Sequence, residues 1–201
     1  MTSQPHGHAV ELDDTFDFIN TLEFSGVAST DELATPGEAI AWLVGHGLVH
    51  PGSVGADRAS DVRLLDRVVR ARSAFREIAD AVHHRRPPDA AALDEVNRTL
   101  RAREIVQLEP AADGVTVGHR HEGDPIDDAL ARLAEPLVAE IAGGRPERLR
   151  ICANDACRWV FYDRSPTGKR RWCSMSSCGN RAKAARHRAR ARSTAVEETA
   201  G

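Results

Sequence analysis

Four cysteines, Cys152, Cys157, Cys173 and Cys178, are confined to the last quarter of a 201-residue chain, in the pattern C-x4-C-x15-C-x4-C. Two short-range pairs separated by a loop converge readily as four thiolates around a tetrahedral ion, and four soft sulfur ligands select zinc. In a reducing compartment such a cluster favours metal over disulfides. Four residues between paired ligands is the wide end of the usual spacing, so ordinary buried thiols and redox thiols stand as competing readings. A shell completed by four cysteines leaves no open coordination position, which makes the metal structural rather than catalytic. The segment is too small to bury much hydrophobic surface, so metal binding is expected to supply a large part of its folding energy.

Charge divides the chain near the same place. Residues 1–144 carry 13 Lys/Arg against 25 Asp/Glu, a balance of −12; residues 145–201 carry 14 against 5, a balance of +9. The formal net charge of −3 conceals this asymmetry. A basic segment steers toward a polyanion while the acidic part stays soluble and repels it. Gly143-Gly144-Arg145-Pro146 marks the boundary, giving an acidic, mostly helical domain over 1–144, a basic cysteine domain over 145–192 and a flexible tail over 193–201. Met1 to Gly7 is polar, and no window reaches the roughly 18 uninterrupted apolar residues of a membrane helix. The chain therefore reads as cytoplasmic, with no membrane partner.

In the acidic part, Phe16, Ile19 and Leu22 or Phe24 have helical spacing, predicting a short helix over 13–24 capped by Asp13 or Asp14. Thr35-Pro36-Gly37-Glu38 opens a second helix as a cap with proline at the first helical position, and Gly45 or Gly47 closes it. Val62, Leu65, Val69, Ala74 or Phe75, and Ile78 give the buried stripe of a long helix over 60–82, with Arg63, Arg67, Arg70 and Arg76 on a solvated face. Leu93, Val96 and Leu100 line a helix over 89–101. Residues 104–109 and 114–118 form a β-hairpin. Pro125 to Ile141 is helical again, bent or divided at Pro136. The fold expected is thus a mainly α domain with a small hairpin, followed by a four-cysteine α+β module that ends in a basic helix.

Within that module, Trp159 to Tyr162 reads as a short strand, with Trp159 and Trp172 as packing over the metal. Gly179 permits a tight turn beside it, and Asn180 caps the helix after that turn. Residues 182–192 favour helix but contain no large hydrophobe. Arg181, Lys183, Arg186, Arg188 and Arg190 form basic stripes beside a narrow face of Ala182, Ala185 and Ala189. Two uses fit: docking along DNA or RNA, where Arg and Lys neutralise phosphate and Arg reads guanine, or a solvated tail paired with the acidic domain. The combination of zinc and a basic helix favours nucleic acid. A protein-interaction module stabilised by zinc is the first alternative. A small-molecule site in the helical domain is the second, with Asn20, Trp42, His46, His119 and His121 as its candidate residues. No nucleophile elbow or phosphate-binding glycine loop supports an enzyme.

The run Trp172-Cys173-Ser174-Met175-Ser176-Ser177-Cys178-Gly179-Asn180-Arg181, followed by Lys183, resembles the signature of the CGNR zinc-finger family, whose members carry an N-terminal ABATE domain. Cys152, Cys157, Phe161-Tyr162-Asp163 and Arg170-Arg171 fit the same pattern. Asp17-Phe18-Ile19-Asn20-Thr21-Leu22 is similar to that family's LDFxNT-like opening, although Thr15-Phe16 stands where a leucine is common nearby. The likeness spans Leu12 to Arg192. It implies a mostly helical N-terminal domain joined to a zinc-binding domain, in a group described as stress-related transcriptional regulators.

Overall fold

The structure, a computed structural model, describes residues 10–102, 105–120 and 123–188. The elements in order are α1 (Leu12–Asn20), β1 (Leu22–Ser25), β2 (Ala28–Asp31), α2 (Pro36–Gly45), α3 (Val62–His84), α4 (Ala90–Leu100), β3 (Ile105–Ala111), β4 (Gly114–Arg120), α5 (Pro125–Gly143), β5 (Leu149–Ile151) and β6 (Val160–Tyr162). One π-type turn over Met175–Gly179 leads into a last helix, α6, over 180–188. The strands form three antiparallel two-stranded sheets, β1–β2, β3–β4 and β5–β6. A mainly helical body with a hairpin, followed by a small α+β module around four cysteines and a terminal helix, is the fold expected from the sequence.

Local chemistry explains most boundaries. Glu11 and Asp14 close a capping box at the start of α1, rather than Asp13 or Asp14 serving as the cap residue itself. Thr35 caps α2, accepting the Glu38 N–H at 3.2 Å while its hydroxyl donates to the Glu38 carboxylate at 2.9 Å. Asp61 caps α3 through the N–H groups of Arg63 and Leu64. Pro136 sits inside α5 without dividing it.

The expected helix over 13–24 stops at Asn20, because Leu22 and Phe24 belong to β1. Gly26, in the left-handed region at φ +70°, turns the chain into β2. The stripe of α3 is displaced from the expected one in its first half, while Phe75 and Ile78 are buried as expected. Leu64, Val68, Ala71, Phe75 and Ile78 are buried, whereas Val62 is 72% exposed. On α4, Val96 is buried as expected, but Ala92, Glu95 and Thr99 join it and Leu93 is 42% exposed. Nor are the α3 arginines a uniform solvated face. Arg67 reaches Asp124 and Asp127 at 2.7 and 2.6 Å, and Arg76 donates into the backbone at Ile19 and Arg158.

One hydrophobic core gathers Phe16, Phe18 and Ile19 of α1, Leu43 of α2, Leu64, Val68 and Phe75 of α3, Val96 of α4, and Leu130, Leu133 and Leu137 of α5. Leu149 of β5 and Val160 of β6 belong to the same cluster. The strand pair that opens the cysteine segment is therefore seated directly on the helical body.

Candidate metal centre

The β5–β6 hairpin delivers the first cysteine pair. Cys152 follows β5 and its N–H donates to the Trp159 carbonyl at 2.9 Å, continuing the ladder past Ile151↔Val160. Between the pair, the Asn154 carbonyl accepts N–H bonds from Cys157 at 2.7 Å and Arg158 at 3.1 Å, and Arg158 takes φ 56° to bring the chain into β6. Of the second pair, Cys178 lies on the turn Met175–Gly179 and Cys173 immediately precedes the residue that caps it. Ser174 caps it, accepting from the Ser177 N–H. An Ala153 N–H bond to the Arg171 carbonyl, 2.8 Å, ties the two halves together.

Gly179 serves through its lack of a side chain, not through an unusual backbone: a Cβ there would come within 2.6 Å of Met175 Sδ and 3.3 Å of Trp172 Cδ1. Asn180 does not cap the last helix. It sits within the helix, where its Nδ2 donates to the Ser176 carbonyl at 3.1 Å.

The four Sγ atoms all lie within 4.8 Å of one another. Cys157–Cys173 and Cys173–Cys178 are each 3.8 Å apart. Four sulfurs at the usual Zn–S length of about 2.3 Å from a tetrahedral centre are separated by roughly 3.8 Å. All four cysteines are free thiols, and these separations are far beyond the ~2.05 Å of a disulfide. The donor set and its spacing fit a structural Zn²⁺.

Electrostatics favour a cation at the centre of these sulfurs. Burial pushes the Cys157 thiol up to about 11. Burial, and then the neighbouring Cys152 and Cys157, push Cys173 up as well. Burial acts in the same direction on Cys178, but N–H donors from Asn154 and Arg181 overcome it and bring that thiol down to about 6. Thiolates this close repel each other, and a central cation lets all four ionise together.

The shell around the sulfurs is small: Cys152, Phe161 and Cys178 are buried, with Trp159, Trp172, Cys157 and Cys173 packed against them. Both tryptophans thus pack over the site. Asp163, 0% exposed, accepts N–H bonds from Ser165 at 3.0 Å and Arg170 at 2.7 Å, which pin the turn between the pairs. Arg170 in turn donates to the Cys173 carbonyl at 2.6 Å and lies over Phe161.

Of the basic residues expected to contact nucleic acid, Lys183, Arg186 and Arg188 are exposed on α6; Arg190 lies outside the described residues, as does the tail 193–201. Arg181 is engaged at the metal centre, its Nη2 donating to Cys178 Sγ at 3.2 Å. On the narrow alanine face, Ala182 is half-buried and Ala185 is exposed, and Ala189 lies outside the described residues.

Two residues have roles here that the sequence does not reveal. Asn154 donates to the same sulfur at 3.5 Å. Arg171 stacks over Trp172, whose ring lies beside Gly179 at the root of α6. Only the fold brings these partners together, and no periodicity marks them.

The pocket residues considered for a small molecule are dispersed. Asn20 faces β6, donating to the Val160 carbonyl at 2.8 Å and accepting the Val160 N–H at 3.0 Å, so one side chain completes the strand edge. Trp42 and His46 stack on each other at 3.7 Å along α2. The side chain of His119 and all of His121 lie outside the described residues. A cleft of about 180 Å³ beside Arg67, Arg98 and Leu130 contains none of these residues, and is smaller than the roughly 300 Å³ at which ligand pockets begin.

A zinc-binding four-cysteine module seated on an acidic helical body defines the class of protein. Residues 148–191 match the family model of the CGNR zinc finger, and residues 15–144 match the ABATE model, described as "Putative stress-induced transcription regulator". The chain belongs to the ABATE family and carries a CGNR zinc finger at its C-terminal end. These are regulatory, non-catalytic domains, so the protein is not classed as an enzyme. No curated protein matches the sequence significantly.

Proposed function

We propose that this protein is a cytoplasmic zinc-containing transcriptional regulator that binds DNA through its C-terminal basic helix. Residues 145–192 would act as the binding domain, and residues 1–144 as the domain that senses an effector or mediates association. The observation that carries the reading is the placement of α6: it starts directly on a ligand-bearing turn and exposes Lys183, Arg186 and Arg188. The ion's task is to give that helix a rigid root. Arg190 extends the basic series in sequence, and Arg171 adds a further cation beside the root. Arg181 contributes through its contact with Cys178. The acidic body repels the polyanion and favours one orientation of approach. No helix of the described residues is long and apolar enough to cross a membrane.

The test is a salt series on zinc-quantified full-length protein with duplex DNA and, in parallel, RNA. Binding is expected to weaken linearly in log–log form. Replacing Lys183, Arg186 and Arg188 with Gln is expected to flatten the slope by roughly 0.9 for each phosphate no longer neutralised. A zinc-loaded protein that binds neither polymer at low salt would refute the proposal.

A further inference from the structure

A zinc ion with four thiolates carries a net charge of roughly −2, and that charge would sit here among two buried and two part-buried cysteines. Cys178 is 1% exposed, so its sulfur depends on protein donors rather than solvent. Two side chains supply them from opposite halves of the module: Arg181 Nη2 at 3.2 Å and Asn154 Nδ2 at 3.5 Å.

Both donors are positioned by the local fold. Arg181 is three residues after Cys178 on a continuous helical path, and helical side chains lean back over the preceding turn, which brings the guanidinium onto the sulfur. Asn154 is held at its other end, where its Oδ1 accepts the Ala156 N–H at 3.3 Å within the first cysteine loop. This leaves its amide N–H free to point across to the second pair.

We propose that Arg181, seconded by Asn154, is a positioning residue of the zinc centre: it donates an N–H···S bond to Cys178, offsets the excess negative charge, and fixes the angle at which α6 leaves the metal. The assignment moves Arg181 out of the phosphate-contacting set and stands whether or not nucleic acid is bound. Outer-shell partners of this kind typically govern 10–100-fold in metal affinity.

The experiment compares Arg181→Gln, Arg181→Lys and the control Lys183→Gln in the full chain. Zinc affinity is measured by competition with a chromophoric chelator, and the thiolate-to-metal charge-transfer bands are recorded after Co²⁺ substitution. Arg181→Gln is expected to weaken zinc about tenfold or more and to shift those bands. Lys183→Gln, which removes the same charge from the same helix, is expected to change neither. Arg181→Lys keeps the charge but not the guanidinium fork, and is expected to fall between wild type and Arg181→Gln. Equal zinc affinity and spectra in Arg181→Gln and Lys183→Gln would overturn the proposal. If Arg181→Gln does not fold, Arg181→Lys decides alone: weaker zinc supports the proposal, and wild-type affinity with wild-type bands overturns it.

Discussion

The helical body and the cysteine module solve the same problem with different means. In the body, large apolar side chains from five helices share one core, and Phe18, Phe75, Leu64, Leu133 and Leu137 are almost wholly removed from water. In the module, the second cluster amounts to two cysteines and a phenylalanine, with two half-buried tryptophans and two more cysteines against them. At about 25 cal/mol per Å² of buried apolar surface, a cluster of that size cannot by itself offset the entropy of ordering the loops around it. Beyond the anchorage of Leu149 and Val160 in the main core, the stability that the body draws from burial the module would draw from four metal–sulfur bonds. The difference bears on how a helix is presented: with its root held at the cysteine cluster, α6 carries no large apolar side chain and keeps Lys183, Arg186 and Arg188 exposed.

The sharpest way to break this contrast is Cys173→Ser. Structural zinc sites of this size contribute on the order of 10 kcal/mol to folding. The variant is expected to lose zinc and to become protease-sensitive between Asp163 and Arg188, while helical circular dichroism from the body persists. Collapse of both regions together would show that the body, too, depends on the metal. Phe75→Ala is the converse. Phe75 is 0% exposed, and its truncation should cost about 3–5 kcal/mol in denaturant unfolding with little change in zinc affinity.

Asn20→Ala tests the seam between the two regions. Its amide is the partner of both backbone groups of Val160, and removing it leaves a buried N–H and C=O unpaired, a cost of about 2–4 kcal/mol. Unlike Phe75→Ala, it should also loosen the first cysteine pair, read as faster zinc loss to a chelator. Asn20→Asp keeps an acceptor but no donor toward the Val160 carbonyl, and is expected to rescue little.

The smallest effect is a pH dependence confined to the body. Burial alone would raise Asp124, but hydrogen bonds from Arg67 and Arg58 outweigh it and hold the carboxyl at about 2. A depressed folded pKa means that the stabilisation is fully present above the ordinary value near 3.8 and is lost as pH falls toward 2. Asp124→Asn should therefore cost about 1 kcal/mol at neutral pH, after allowance for solvent screening. The gap to wild type should close across that acid window, and urea unfolding at stepped pH measures it.

Much of this arrangement is legible in the sequence because the relevant signals are local. Thr35-Pro36 at α2, the long period of α3 and the apolar runs of β3 and β4 each declare themselves within a dozen residues. The four cysteines do so through the one chemistry that their spacing serves. The features that sequence does not reveal depend on distant partners. Leu22 and Phe24 continue the spacing of α1, and only the pairing Leu22↔Asp31 to Ser25↔Ala28 makes them a strand. The three residues of β5 are too few to show alternation. Asn20 looks like a polar helix terminus until Val160, 140 residues away, is seen against it. Arg72 carries no mark in the sequence that separates it from its arginine neighbours, yet the fold leaves it 3% exposed and bound to both Asp31 oxygens at 2.6 Å. Arg181 likewise merges into a basic stripe, since helical spacing reveals which residues share a face but not that Cys178 lies beneath one of them.

The most direct test of the metal's role is X-ray absorption at the zinc edge on purified full-length protein, with zinc and protein quantified in the same sample. One zinc per chain with four sulfur neighbours at about 2.3 Å is the predicted result. A nitrogen or oxygen ligand in the shell, or a fully ordered cysteine module in protein free of metal, would contradict it.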